Sequence, residues 1–502
     1  FAIYDIKKQI IFLLRDRAGI KPLYFFYKND ALLFASELKS IYTYPNFEKN
    51  INEQAVSLFF KYAYIRAPHT IFKHTYKVKP GHYIKIDVVH KTVEDIKYYD
   101  VLDYYNKPKL KISEEEAATE VERLFTSAFQ YRMVSDVPVG VFLSGGYDSG
   151  VVAAVLQANN TQRIKTFTIG FNEAKYNEAH HAKKMAEYMG TDHHEYYCTT
   201  KEAQDILPDL PEIYDEPFGD SSAIPTTLVS RFARKHVTVS LSADGGDEIF
   251  AGYMRYPFLQ RINNTIHGFP KAVLNTGKFL SNLSVNFVPF LKNNSRMLRI
   301  HELLNGSDIL NIADIFSQYY NTAELKALLK LRNVNAGLYD EMSPINNQND
   351  FINTCLALDY SIYMVDDILA KVDRATMSVG LEGREPLLDN RIIEFVSQLP
   401  SKLKYNHGEK KYLLKKITHK YLPKTLMDRP KSGFALPVNE WLREDLKDYL
   451  FQYINEGQLG KHNFINSKKA ILLRNDFIVG KENTDTKIWL LLMFQMWWNR
   501  WM

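Results

Sequence analysis

Cysteine is nearly absent from this 502-residue chain: there are two, Cys198 and Cys355, too few and too far apart for a disulfide framework or a cysteine-based metal site. That usage fits a reducing compartment, so a cytoplasmic location is expected. An excess of either charge is missing as well. The 63 Lys and Arg stand against 58 Asp and Glu, a net of +5, and no basic run interleaved with aromatics marks a nucleic-acid surface. No nucleic-acid partner is expected. No apolar run is long enough to cross a bilayer. The most apolar stretch, Ile488 to Trp498, covers 11 residues with a glutamine inside and reads as a C-terminal helix packed on a core, because it lacks the lysine-rich polar face of a membrane-surface helix. No membrane partner is expected either. Two familiar phosphate signatures are also absent, the long glycine loop ending in Gly-Lys-Ser/Thr and the Gly-x-Gly-x-x-Gly of dinucleotide sites.

A different glycine turn is present. Residues 144 to 149 read Ser-Gly-Gly-Tyr-Asp-Ser, after the apolar run Val137 to Leu143 and before the helix-like Gly150 to Leu156. A strand entering a glycine turn and then a helix aims unpaired backbone N–H groups and the favourable end of a helix dipole at an anion, most naturally phosphate. Gly145 and Gly146 allow close backbone approach, Ser144 and Ser149 offer hydroxyls, and Asp148 offers a hard ligand for magnesium. A second such turn follows the strand-like Val237 to Leu241: Ser242-Ala243-Asp244-Gly245-Gly246-Asp247-Glu248. One acid at a helix start is an ordinary cap. Three beside two glycines, after a strand, fit a metal-bound phosphate better.

The first turn resembles the pyrophosphate loop of ATP pyrophosphatases. From about residue 115 to the end, the chain resembles the synthetase domain of glutamine-dependent asparagine synthetases. The resemblance rests on ordered segments: Gly140 to Ser149, Phe167-Thr168-Ile169-Gly170-Phe171, Asp215-Glu216-Pro217-Phe218, Ser242 to Glu248, Lys371 to Met377, Leu381 to Asp389, and Arg429-Pro430-Lys431-Ser432-Gly433-Phe434. It implies that ATP activates a carboxylate, L-aspartate first, as its acyl-adenylate with release of pyrophosphate, and that ammonia then gives the amide and AMP. It further implies ATP and Mg2+ as cofactors, and Asp148 and Asp247 as metal ligands. Lys431 would meet the charge developing on pyrophosphate, and the nucleotide would sit near Leu143, Ile169, Ser242 and Ala243. Asp244 stands where many members carry a glutamate that handles ammonia or the tetrahedral intermediate, and is one methylene shorter.

Residues 14 to 24 and 33 to 40 resemble the end of the N-terminal-nucleophile glutaminase domain of the same enzymes, whose nucleophile is a first-residue cysteine. Neither Cys198 nor Cys355 can take that place. Residues 1–75 are therefore expected as an α+β remnant of that domain, with Phe1 to Asp5 in a buried strand, 76–114 as a linker, and 115–502 as the ATP-binding domain. As written, the chain is expected to use ammonia and not glutamine. Alternation of strands and helices up to about Gly252, then mostly helix, predicts an α/β fold: a Rossmann-like parallel sheet of the ATP-pyrophosphatase type with a helical C-terminal part.

Small-molecule substrates and a homodimer are the expected partners. Residues 265 to 349 carry no assignable motif, and His193 and His194, adjacent on a strand, read as surface residues. Asp215 to Ser222 is acidic where a cation is expected near the acceptor. That favours the same chemistry on another carboxylate, such as a sugar acid in surface-polysaccharide assembly; a β-lactam-forming relative, weighed against by Arg15-Asp16-Arg17, and a non-catalytic homologue, weighed against by Asp148, Asp244, Asp247 and Lys431 together, are the further alternatives.

Overall fold

The computed structural model describes residues 1–502 except 172–176, 288–294, 307, 332–333, 335–336, 340–341, 343–344, 346–349, 429–435 and 483. The first hundred residues form two antiparallel sheets. Strands β1 (Ala2–Asp5), β2 (Ile10–Leu14), β3 (Tyr24–Lys28), β4 (Ala31–Ala35), β5 (Thr75–Lys77), β6 (His82–Asp87) and β7 (Thr92–Lys97) pair in the orders β1-β2-β6-β7 and β4-β3-β5. Leu13 of β2, Phe25 of β3, Val78, and Ile84 and Ile86 of β6 form one buried cluster, the apolar sides of alternating strands that no single sheet could cover alone. The boundary expected at residue 75 falls at the start of β5, and β6 and β7, expected within a linker, continue the sheet begun by β1 and β2. Strand β1, expected to be buried, lies at the sheet edge with Phe1 86% and Ile3 57% exposed.

Beyond the capping box that Ser113 and Glu116 build at the start of helix Glu114–Met133, the core is a parallel sheet. Strands β8 (Val139–Phe142), β9 (Lys165–Phe171), β10 (Asp192–Cys198), β11 (Val239–Leu241) and β12 (Glu382–Arg384) lie in the order β10-β9-β8-β11-β12. Every pairing among them is parallel, with Val141 opposite both Thr166 and Leu241, and Leu241 opposite Arg384. Helices Tyr147–Ala158, Ala179–Met189 and Ala223–Arg234 make the crossovers. The chain lays β9 and β10 to one side of β8 and then returns to place β11 on the other, so the order reverses at the β8/β11 junction. A crevice for a ligand opens at such a switch point, outside the strands' carboxyl ends.

The part expected to be helical is not wholly so, because β12 comes from residue 382 onward and extends the sheet. Between helix Phe351–Leu358 and helix Ala370–Met377 runs a π-helical stretch, Asp359–Leu369, a rare wide form that is frequent at functional sites. The C-terminal helix Asp485–Trp501 buries Ile488 through Trp497, as its composition implies. Its tryptophans act as staples: Trp489, Trp497 and Trp501 donate their indole N–H groups to the carbonyls of Gly219 (2.8 Å), Asp215 (2.9 Å) and Pro211 (2.7 Å). This fixes the acidic segment beside the sheet. His193 and His194 point to opposite sides of β10, but neither is a free surface residue. The Nδ1 of His193 lies 2.8 Å from the Thr166 hydroxyl, and His194 stacks on Phe167. No helix among the described residues is long and apolar enough to cross a membrane.

Candidate active site

The carboxyl ends of β8, β9 and β11 open into a cleft of about 470 Å³. Leu143, Ser144, Asp148, Ser149, Ile169, Ser242, Ala243, Asp244 and Asp247, singled out from the sequence, line it, whereas the expected Gly146 does not. Gly145 turns the loop with φ +75° without lining the cleft. The loop is prearranged: the Ser144 N–H donates to the Ser149 hydroxyl at 3.1 Å, and the two serine hydroxyls lie 3.0 Å apart. Gly146 is the N-cap of the following helix and has no side chain with which to bond its first N–H groups, the end of a helix that favours an anion. The second loop packs directly on the first. A Cβ added at Gly246 would lie 2.5 Å from Asp148 Oδ1, so only glycine allows this approach.

A lysine joins the two aspartates expected as metal ligands. Lys411 Nζ lies 2.6 Å from Asp247 Oδ1 and closer still to Asp148 Oδ2. Its side chain is buried and its backbone left-handed, φ +55°, where the hairpin Tyr405–Asn406/Glu409–Lys410 runs into helix Tyr412–Thr418. Burial works against its charge, but Asp148 and Asp247 outweigh that and hold its pKa raised. Among the described residues no group of three or more His, Cys, Asp or Glu is placed to hold a metal ion.

A second ion cluster forms the far wall. Lys371 Nζ lies 3.0 Å from Asp220 Oδ2. Burial again opposes the lysine charge, while Asp220, Asp244 and Asp367 raise its pKa. Asp244 accepts a hydrogen bond from the Ser242 hydroxyl; burial pushes its carboxyl up despite Lys371. Glu248 accepts from the Tyr253 hydroxyl and is pushed up by burial and by Asp247.

The acidic segment is neutralised acid by acid. Asp215 faces the Arg374 guanidinium at 3.8 Å and accepts the Lys39 N–H at 3.2 Å, Glu216 pairs with Lys77 at 2.7 Å, and Asp220 pairs with Lys371. Lys39 and Lys77 come from the antiparallel half. Lys21 reaches across in the same way, donating to Asp373 Oδ1 and to the Gly383 carbonyl, both at 2.9 Å. The Arg15-Asp16-Arg17 stretch presents that lysine. Arg15 donates to the carbonyls of Gly19, Lys21 and Val78, while Asp16 accepts from the N–H groups of Ala18, Ile20 and Lys21.

The expected catalytic Lys431 lies outside the described residues. Lys371 and Lys411 were missed as site residues by sequence reasoning. Lys371 sits inside a segment that carries the resemblance, which was its only signal, and nothing local distinguishes Lys411 from other lysines.

Comparison with known proteins matches residues 120–499 to the asparagine synthase family and residues 1–99 to the glutamine amidotransferase domain family. Asparagine synthetase (glutamine-hydrolysing) 1 of Bacillus subtilis is 31% identical over 504 residues, covering 99% of this chain and 76% of that protein. Asparagine synthetase (glutamine-hydrolysing) 3 of the same organism is 26% identical over 466 residues, covering 88% of this chain and 69% of that protein.

Proposed function

Because the chain belongs to the asparagine synthase family, a family of carbon–nitrogen ligases, we propose that it uses ATP to adenylate a carboxylate, L-aspartate first, and amidates it with ammonia. One acceptor carboxylate oxygen attacks the α-phosphorus of ATP, and the α–β anhydride bond breaks to release pyrophosphate. Ammonia nitrogen then attacks the acyl carbon, a proton leaves the nitrogen, and AMP departs.

The observation that carries this reading is the pair Asp148 and Asp247 closing on one cation, Lys411, beside a helix start capped by a glycine. A position that already draws a positive charge between two carboxylates fits a hard divalent ion. Asp148 and Asp247 would hold magnesium, which when bound neutralises charge on the triphosphate. The Ser144 to Gly146 turn and the Ser149 hydroxyl would cradle phosphate, and the backbone near Leu143, Ile169, Ser242 and Ala243 would hold the nucleoside, in an ATP-pyrophosphatase type of fold. Asp244, its basicity raised by burial, would take the proton from the attacking nitrogen. Lys431 is proposed, on sequence alone, to meet charge on departing pyrophosphate.

The acidity of Asp215 to Ser222 does not argue against aspartate, since each of its acids has its own cation. The test is direct: chain, ATP, magnesium, aspartate and ammonium should release pyrophosphate and AMP. Pyrophosphate with a sugar acid but not with aspartate would transfer the acceptor role; none with any carboxylic acid would sink the reading.

A further inference from the structure

Residues 249 to 301 contain no aspartate or glutamate but seven lysines and arginines; at the chain-wide frequency of 58 acids in 502 residues, about six acids would fall there. Helix Lys271–Phe287 lies inside this stretch. Its apolar positions Ala272, Val273, Phe279 and Leu280 follow the three- and four-residue spacing of one helical face, and the sequence continues that spacing at Leu283 and Phe287. In a globular protein such a stripe faces the core. Here it faces solvent: Val273, Phe279 and Leu280 are 52%, 64% and 57% exposed.

The cause is the side on which the helix is held. Its Gly277 to Ser281 side meets helix Ser295–Asn305, with a Cβ at Gly277 placed 3.7 Å from Leu304 and the Ser281 hydroxyl 3.3 Å from His301 Nδ1. Along the same acid-free stretch, Phe269 and Ile300 are exposed, as are Arg261, His267, Lys278 and Arg299.

An outward apolar stripe in a stretch whose charged residues are all cations, with the next acid, Glu302, half-buried beside Arg299, has the chemistry of a helix that lies in a membrane interface. A second copy of this chain is disfavoured as occupant, because two such faces would bring an excess of like charges together, with Glu302 half-buried beside Arg299 as the next acid. Nucleic acid would match the charge and leave the stripe wet. We propose that helix Lys271–Phe287 docks this protein on an anionic bilayer surface, with Val273, Phe279 and Leu280 entering the boundary between headgroups and acyl chains. This departs from the expectation of no membrane partner, which rested on the lack of a spanning run and on the C-terminal helix.

Flotation of the full chain with vesicles of phosphatidylcholine, alone or mixed with phosphatidylglycerol, tests this. The protein should float with the mixed vesicles at low salt, less so as salt rises, and not with phosphatidylcholine alone. Phe279→Ser with Leu280→Ser should lower binding on the order of tenfold or more, and Lys278→Glu with Arg299→Glu should do the same, each with an unchanged melting temperature. No flotation with either vesicle, or equal flotation with both, would overturn the proposal. So would a lipid-independent dimer that the Phe279 and Leu280 changes dissolve, which would make a second copy the occupant.

Discussion

Lys411 changes how the two site aspartates behave as residues. Their carboxylates lie within contact of one ammonium, so a divalent ion entering between them competes with a cation already in place. Magnesium alone should therefore raise the melting temperature of the wild-type chain little, and that of Lys411→Met more, as binding to the folded state stabilises it by mass action. Equal shifts would place the ion elsewhere. Asp148→Asn and Asp247→Asn should each slow ATP–pyrophosphate exchange by about a thousandfold, since on the proposed function either removes a full charge from where the triphosphate would be neutralised. Near wild-type exchange in either variant would remove that residue from the site. Asp244 must be ionised to accept a proton, and its pKa is raised by burial, so amidation should fail on the acid side at a higher pH than an unburied aspartate would set and recover as pH rises. In a rate–pH profile measured with saturating ammonium, Asp244→Asn should abolish the activity rather than move that limb. The aspartates were legible because each sits in a short glycine turn at a strand's end, where neighbouring letters carry the meaning. Lys411 was not, because its partner Asp148 is 263 residues away and only the folded chain brings them together.

At the scale of elements, the two turns work as a pair. Gly246→Ala would drive a methyl into Asp148 Oδ1 at 2.5 Å, a contact that a side-chain shift can relieve at the expense of the position Asp148 needs for its proposed role. Exchange should be lost while the melting temperature stays close to wild type. Gly245→Ala is different in kind: φ is +92°, and the new methyl would meet Leu388 in the core at 2.3 Å. It should lower stability by roughly 1–3 kcal/mol, read as a lower denaturation midpoint. The reverse pattern, Gly245→Ala silent on stability and Gly246→Ala unfolding the chain, would contradict this account of the turns. Strands β8, β9 and β11 were readable from their apolar runs. Strand β12 was not, because Glu382-Gly383-Arg384 has no β-branched or apolar residue and pairs only because β11 leaves an open edge.

Across the whole molecule, the antiparallel half is tied to the parallel core by charge as well as packing, Lys21 to Asp373 and Lys77 to Glu216, and by the backbone N–H of Lys39 donating to Asp215. The Lys77–Glu216 pair is buried on both sides, so Lys77→Met strands a carboxylate in the interior and should destabilise the chain by about 3–5 kcal/mol in urea denaturation, whereas the half-exposed Lys21 should matter far less to stability. This junction could not be read from sequence, where the acids of 215 to 222 appear without their cations. The 502 residues hold two thiols, Cys198 and Cys355. Glutamine hydrolysis by a thiol needs an accessible thiolate. Cys198 and Cys355 are both buried, and burial pushes both thiols up, Cys198 to about 12, so neither supplies one. In assays with ATP, magnesium and aspartate, ammonium should therefore support amide formation and glutamine should not replace it, and iodoacetamide should leave the ammonium-dependent rate unchanged. Amide formation from glutamine that iodoacetamide abolishes would show that one of these cysteines becomes accessible and acts as the nucleophile.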